Sequence, residues 1–144
     1  MRIDGEWVRF PGGEELPVIR GQVIAFDGTL VETLFLVDTG ADRTVLTSDV
    51  FEQLGLEAFE TNERIVGVGG RVRSVQVSTQ IWMRRDGGLR ASFNGPFWAV
   101  TDAATLDLSV LGRDILRWFA LIVDRPGNTV CLLNQRHRYN VVAS

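Results

Sequence analysis

The chain has 144 residues, 45% of them apolar and 23% charged, with 18 acidic against 15 basic residues for a formal net charge of −3. This is one domain's worth of ordinary globular composition, which excludes a disordered chain and leaves no room for a second full-sized domain. Every basic residue is arginine, and the chain holds one histidine, His137, and one cysteine, Cys131; lysine Schiff-base chemistry, a Walker-type phosphate lysine, a Cys/His zinc site and an internal disulfide are therefore excluded by inventory.

Short segments rich in Val, Ile, Leu, Phe and Trp, punctuated by Gly and Pro, predict a mainly β protein. Strands are expected over residues 18–26, 30–37, 44–47, 62–68, 71–84, 89–100, 109–111, 120–124 and 129–134. Asp27-Gly28 and Pro126-Gly127-Asn128 supply turn residues for two hairpins. Helical signals are confined to residues 48–54, ending at Gly55, and 113–119, following Gly112. With no repeat or linker, the expected unit is the whole chain, residues 1–144, with its core over 18–134 and both ends uncertain in structure.

The opening decapeptide lacks a basic patch followed by an apolar run, and the longest apolar run, residues 118–123, is too short to span a bilayer. Neither signal peptide nor membrane span is expected, which points to a cytoplasmic protein with no membrane partner. Residues 1–72 hold six arginines against thirteen acids, net −7, and residues 73–144 nine against five, net +4. With neither a basic surplus nor a recognisable motif, nucleic acid is not an expected partner.

The segment Leu34-Phe35-Leu36-Val37-Asp38-Thr39-Gly40-Ala41 carries the strongest chemical signal. Its four apolar residues read as a fully buried strand that delivers a carboxylate to the edge of the core, where a charge is costly unless hydrogen bonds or function account for it. Thr39 adds a hydroxyl, and Gly40 permits close backbone approach. A polar turn between two strands would have the same composition. Further on, Ile65-Val66-Gly67-Val68-Gly69-Gly70 forms a Gly-rich hairpin tip, and Val110-Leu111-Gly112-Arg113-Asp114 an apolar strand turning into a helix. The tip is not a dinucleotide fingerprint, because Val72 stands where a third glycine is needed and no helix follows.

These three segments, in this order, resemble the retropepsin-like aspartic proteases, the family of retroviral proteases and their cellular and bacterial relatives. The resemblance covers roughly residues 18–134. It implies an all-β acid-protease fold, a closed or partly open barrel with a flap hairpin and one or two short helices, in a homodimer. It also implies a metal-free and cofactor-free peptide hydrolase acting on polypeptide. Because one chain supplies one Asp-Thr-Gly, the family pattern places Asp38 and its symmetry mate together on a two-fold axis. Asp38, Thr39 and Gly40 take the catalytic positions, with Thr39 bonding across the axis. Ala41, Asp42, Ile65, Val66, Gly67, Val68 and Gly69 take substrate-binding positions, the last five on the flap. Gly112 and Arg113 take supporting ones, Arg113 as an ion-pair partner of Asp42. A Ser or Thr at position 41 would offer a hydroxyl to the ionised carboxylate, and Ala41 offers none, so a milder pH optimum than that of the gastric-type enzymes is expected. The alternative is a non-catalytic peptide-binding or dimerisation module of the same fold.

Overall fold

The computed structural model describes residues 1–61, 65–67, 70–134 and 142–143. The strands are β1 (Arg2–Asp4), β2 (Glu6–Arg9), β3 (Glu15–Ile24), β4 (Leu30–Val37), β5 (Val45–Leu46), β6 (Phe59–Glu60), β7 (Ile65–Gly67), β8 (Gly70–Val72), β9 (Ser74–Val77), β10 (Gln80–Arg84), β11 (Arg90–Asn94), β12 (Phe97–Val100), β13 (Ser109–Leu111), β14 (Ala120–Asp124) and β15 (Thr129–Leu133). Helix α1 (Ser48–Leu54) lies between β5 and β6, and the single turn α2 (Arg113–Leu116) follows β13. This is the mostly-β architecture expected from the sequence.

Ten strands form one sheet in the order β11-β10-β3-β4-β13-β5-β12-β9-β6, with β2 also pairing β3. The path has two ends, so among the described residues the sheet is partly open and not a closed barrel. Its antiparallel backbone is the β3–β4 hairpin, in register from Val18↔Leu36 to Ile24↔Leu30. Two pairings are parallel, β4 with β13 and β5 with β12. A second sheet runs β1-β15-β14, so the first described strand pairs with the last.

The two long strands expected over 71–84 and 89–100 are each bent. Val77 pairs Phe97 and Gln80 pairs Asn94, leaving Ser78 and Thr79 opposite Gly95 and Pro96 at the corner. Pro96 has no N–H for the ladder, and the Gly95 N–H donates to the Thr79 carbonyl instead (2.9 Å). The Thr79 hydroxyl ties the corner to the Ile24 carbonyl (2.6 Å).

Inward-facing residues of both arms meet in one core that includes Ile19, Phe35, Val37, Leu46, Leu54, Val77, Ile81 and Leu111. Strand β4 alternates: Val31, Thr33, Phe35 and Val37 are buried, while Leu34 and Leu36 are half-exposed. The expectation of a fully buried run is thus corrected. Side chains alternate across a strand whatever their polarity, and an apolar stretch does not disclose that one of its faces is only half-covered. Helix α1 is capped by the Thr47 hydroxyl, which accepts from the Val50 N–H (3.4 Å), one residue before the expected start. It closes at Gly55 with φ 61°, a left-handed position that favours glycine.

Candidate active site

Strands β4 and β5 flank β13, one parallel and the other antiparallel to it. The chain therefore leaves β4 at Val37, crosses the end of β13 through residues 38–44, and returns on its far side as β5. Where β13 ends, α2 begins, so the segment beginning at Asp38 and the segment beginning at Gly112 are stacked by topology. The Asp38 N–H donates to the Leu111 carbonyl (3.2 Å), and the Arg113 N–H donates to the Ala41 carbonyl (2.8 Å).

Asp38 is half-exposed at the strand end, while Thr39 and Gly40 are exposed. The Gly40 N–H donates to Oδ1 of Asp38 (2.9 Å), which orients the carboxylate, and the Ala41 N–H donates to the Asp38 carbonyl (3.2 Å). A Cβ on residue 40 would lie 3.1 Å from Oδ1, so only glycine leaves that oxygen uncrowded. Among the described residues the Thr39 hydroxyl has no hydrogen-bond partner, although the Thr39 carbonyl does. Ala41 packs against the small buried cluster of Val45, Trp98, Val100 and Val110.

Gly112 is the point of closest approach. A Cβ there would come within 2.4 Å of both the carbonyl carbon and the oxygen of Arg43. The supporting role expected of Arg113 takes a different form from the ion pair with Asp42. Its guanidinium donates to the Thr39 carbonyl (2.8 Å), and Asp42 is exposed and in no ion pair among the described residues. A carbonyl at the loop's apex lies within reach of the Nη1 fork, whereas the carboxylate of Asp42 remains in solvent.

The acid that does anchor the loop is Asp114, to which sequence reasoning gave no role. Its carboxylate accepts from the Thr44 N–H (2.9 Å), the Thr44 hydroxyl (2.7 Å) and the Ile115 N–H (2.9 Å). Thr44 is fully buried, and its hydroxyl oxygen in turn accepts the Gly112 N–H (3.1 Å) while its carbonyl accepts from Trp98 (3.2 Å). One threonine thus joins the loop, β12 and the start of α2. The readable signal was a carboxylate in the first turn of a helix whose Gly112 N-cap has no side chain to cap it.

Strands β7 and β8 form the expected hairpin, with Ile65↔Val72, Val66↔Arg71 and Gly67↔Gly70 in register. The tip residues Val68 and Gly69 lie outside the described residues, as do residues 135–141. Arg43 is exposed and lines a groove of about 410 Å3 with Gln76, Trp98, Arg117 and Trp118, a groove that Asp38 does not line. Among the described residues no cluster of three or more His, Cys, Asp or Glu could hold a metal ion, and no helix is long and apolar enough to cross a membrane.

A half-exposed carboxylate on a Gly-clasped loop is thus stacked on the Gly-Arg-Asp start of a helix. Residues 23–115 match the aspartyl protease family model, and the chain belongs to that family. No curated protein sequence gives a significant match. Among solved structures the fold is similar to the EIAV protease complexed with the inhibitor HBY-793, at 25% identity and a TM-score of 0.52, over 76% of this chain and 92% of that one. It is also similar to a retropepsin-like aspartic protease from Rickettsia conorii, at 21% identity and a TM-score of 0.52, over 92% of this chain and 88% of that one. The recognition made from the three motifs, and the retropepsin-like fold it implied, are borne out.

Proposed function

We propose that the protein is a homodimeric aspartic endopeptidase whose active site is completed by two Asp38 carboxylates, one from each chain. The observation that carries this reading is that the chain holds a single Asp-Thr-Gly loop, whose half-exposed carboxylate is oriented through Oδ1 by the Gly40 N–H. Two carboxylates brought into one site repel each other when both are charged, so the reaction uses one ionised and one protonated member. The ionised member takes a proton from water as that water attacks the scissile carbonyl. The protonated member donates to the carbonyl oxygen, and a proton passes to the leaving amine as the tetrahedral intermediate collapses.

The remaining residues serve position. Gly40 fixes one carboxylate oxygen and leaves room for the partner and the substrate. The exposed hydroxyl of Thr39 is free to bond across the two-fold axis, and Arg113 holds Thr39 from behind through its carbonyl. The hairpin of β7 and β8, with Val68 and Gly69 at its tip, closes over an extended peptide, with Ile65, Val66 and Gly67 on its first strand. Ala41 and Asp42 border the bound chain.

A mixed peptide library incubated with wild-type protein and with Asp38→Asn tests this reading. Cleavage by the wild type that disappears in Asp38→Asn is expected. Cleavage that persists in the variant contradicts it, and saturable peptide binding without cleavage by either protein replaces it with the non-catalytic module.

A further inference from the structure

The outer face of the large sheet carries another groove, about 500 Å3 in volume, whose lining includes Arg20, Gln22, Glu32, Trp82, Arg84 and Arg90. Two of its charges are already engaged. Arg20 pairs with Glu6 (2.6 Å), and Glu32 accepts from the Gln22 amide (2.5 Å). Arg84 and Arg90 are different. They face each other directly in the β10–β11 register, both are exposed, and neither has an ion-pair partner among the described residues. Like charges directly opposite on paired strands destabilise a sheet unless a counter-charge sits between them.

The site is also pre-organised. The Arg90 guanidinium lies over the Trp82 ring, 3.3 Å from its centroid, and the Trp82 indole N–H is fixed by Oε1 of Gln80 (2.9 Å). A guanidinium stacked in this way keeps its in-plane N–H groups free for a planar, bidentate acceptor such as a carboxylate. Along β4 the groove lies six residues before Asp38, at Glu32, a distance of about 20 Å at strand rise. It is therefore separate from the cleft.

We propose that this groove docks an acidic stretch of polypeptide, with Arg84 and Arg90 clasping its carboxylates over the Trp82 platform. Glu32 and Gln22 on the floor favour a peptide over a nucleic acid. A peptide's backbone N–H groups can add donors to Glu32 beside the Gln22 amide, whereas a phosphodiester backbone brings only like charge to it. The proposal requires no catalysis, so it stands or falls separately from the peptidase reading.

Fluorescence anisotropy of a labelled hexaglutamate peptide, titrated with the full chain, provides the test. Saturable binding that weakens with added salt is expected, with a loss of about tenfold in Arg84→Gln/Arg90→Gln. The single variant Arg84→Gln, which keeps the Arg90–Trp82 stack, should fall between the two and guards against a folding defect. Cleavage of a short uncharged peptide should be the same in all three proteins. Absence of binding by the wild type, equal binding by the double variant, or stronger binding of an oligonucleotide of equal charge overturns the proposal.

Discussion

Replacing Gly112 with alanine isolates the contact between the Asp38 loop and the start of α2. Gly112 has φ −98° and ψ −178°, extended backbone open to any residue. On conformational grounds alone, Gly112→Ala would stabilise the protein by about 0.4–1 kcal/mol by restricting the unfolded chain. The new methyl group, however, would sit 2.4 Å from the Arg43 carbonyl, and carbon contacts are comfortable only beyond about 3.5 Å. Backbone must therefore move by about 1 Å, at an overpacking cost of about 1–3 kcal/mol. The net loss of about 1–2 kcal/mol corresponds to a fall in Tm of roughly 3–8 °C for a chain of this size. Displacement of the loop by the same amount should lower kcat about 100-fold through misplacement of Asp38. Thermal unfolding followed by circular dichroism, with peptide hydrolysis at saturating substrate, measures both. A Tm that is unchanged or raised, with full activity, would refute the buttress.

Thr44→Val removes the hydroxyl that receives the Gly112 N–H and donates to Asp114, leaving buried polar groups unpaired. A loss of about 1–3 kcal/mol in urea unfolding is expected, against no loss if solvent replaces the bond. Hydrogen bonding from Arg9, then the contacts of Arg125, hold the Glu15 carboxyl below its ordinary value of 4.5. A depressed folded-state value means that this stabilisation is complete above pH 4.5 and is lost as pH falls through the depressed value. The Tm difference between wild type and Glu15→Gln should accordingly be largest at neutral pH and shrink below pH 4.5; a difference independent of pH contradicts the linkage. A wild-type pH optimum for peptide cleavage below about pH 3 would contradict the expectation drawn from Ala41.

The elements that could be read from sequence are those whose signals are local. The β3–β4 hairpin is announced by Asp27-Gly28, and the Asp27 carboxylate does hold the Thr29 N–H in that turn (3.0 Å). Helix α1 is announced by its polar start and by Gly55, and the three motifs carried the family. What escaped notice depends on tertiary placement. Strands β1, β2 and β6 are too short for a period to stand out, and β1 exists because β15 offers it a partner. The bend at Thr79 and Gly95-Pro96 splits strands that read as continuous. In the site, Asp38, Gly40 and Gly112 were legible because motif and chemistry coincide. The Thr44–Asp114 bond joins residues seventy positions apart, and the choice of Arg113 between Asp42 and the Thr39 carbonyl is a matter of reach that spacing does not encode.

The central claim is that one chain holds half an active site, and subunit mixing tests it most directly. Wild-type protein and Asp38→Asn are mixed in varying ratio at constant total concentration, allowed to exchange, and assayed for peptide hydrolysis. If both carboxylates of a dimer are needed, activity follows the square of the wild-type fraction, so an equal mixture retains about a quarter of full activity. Activity that falls linearly, to about half in that mixture, would mean that each chain works alone and would contradict the account.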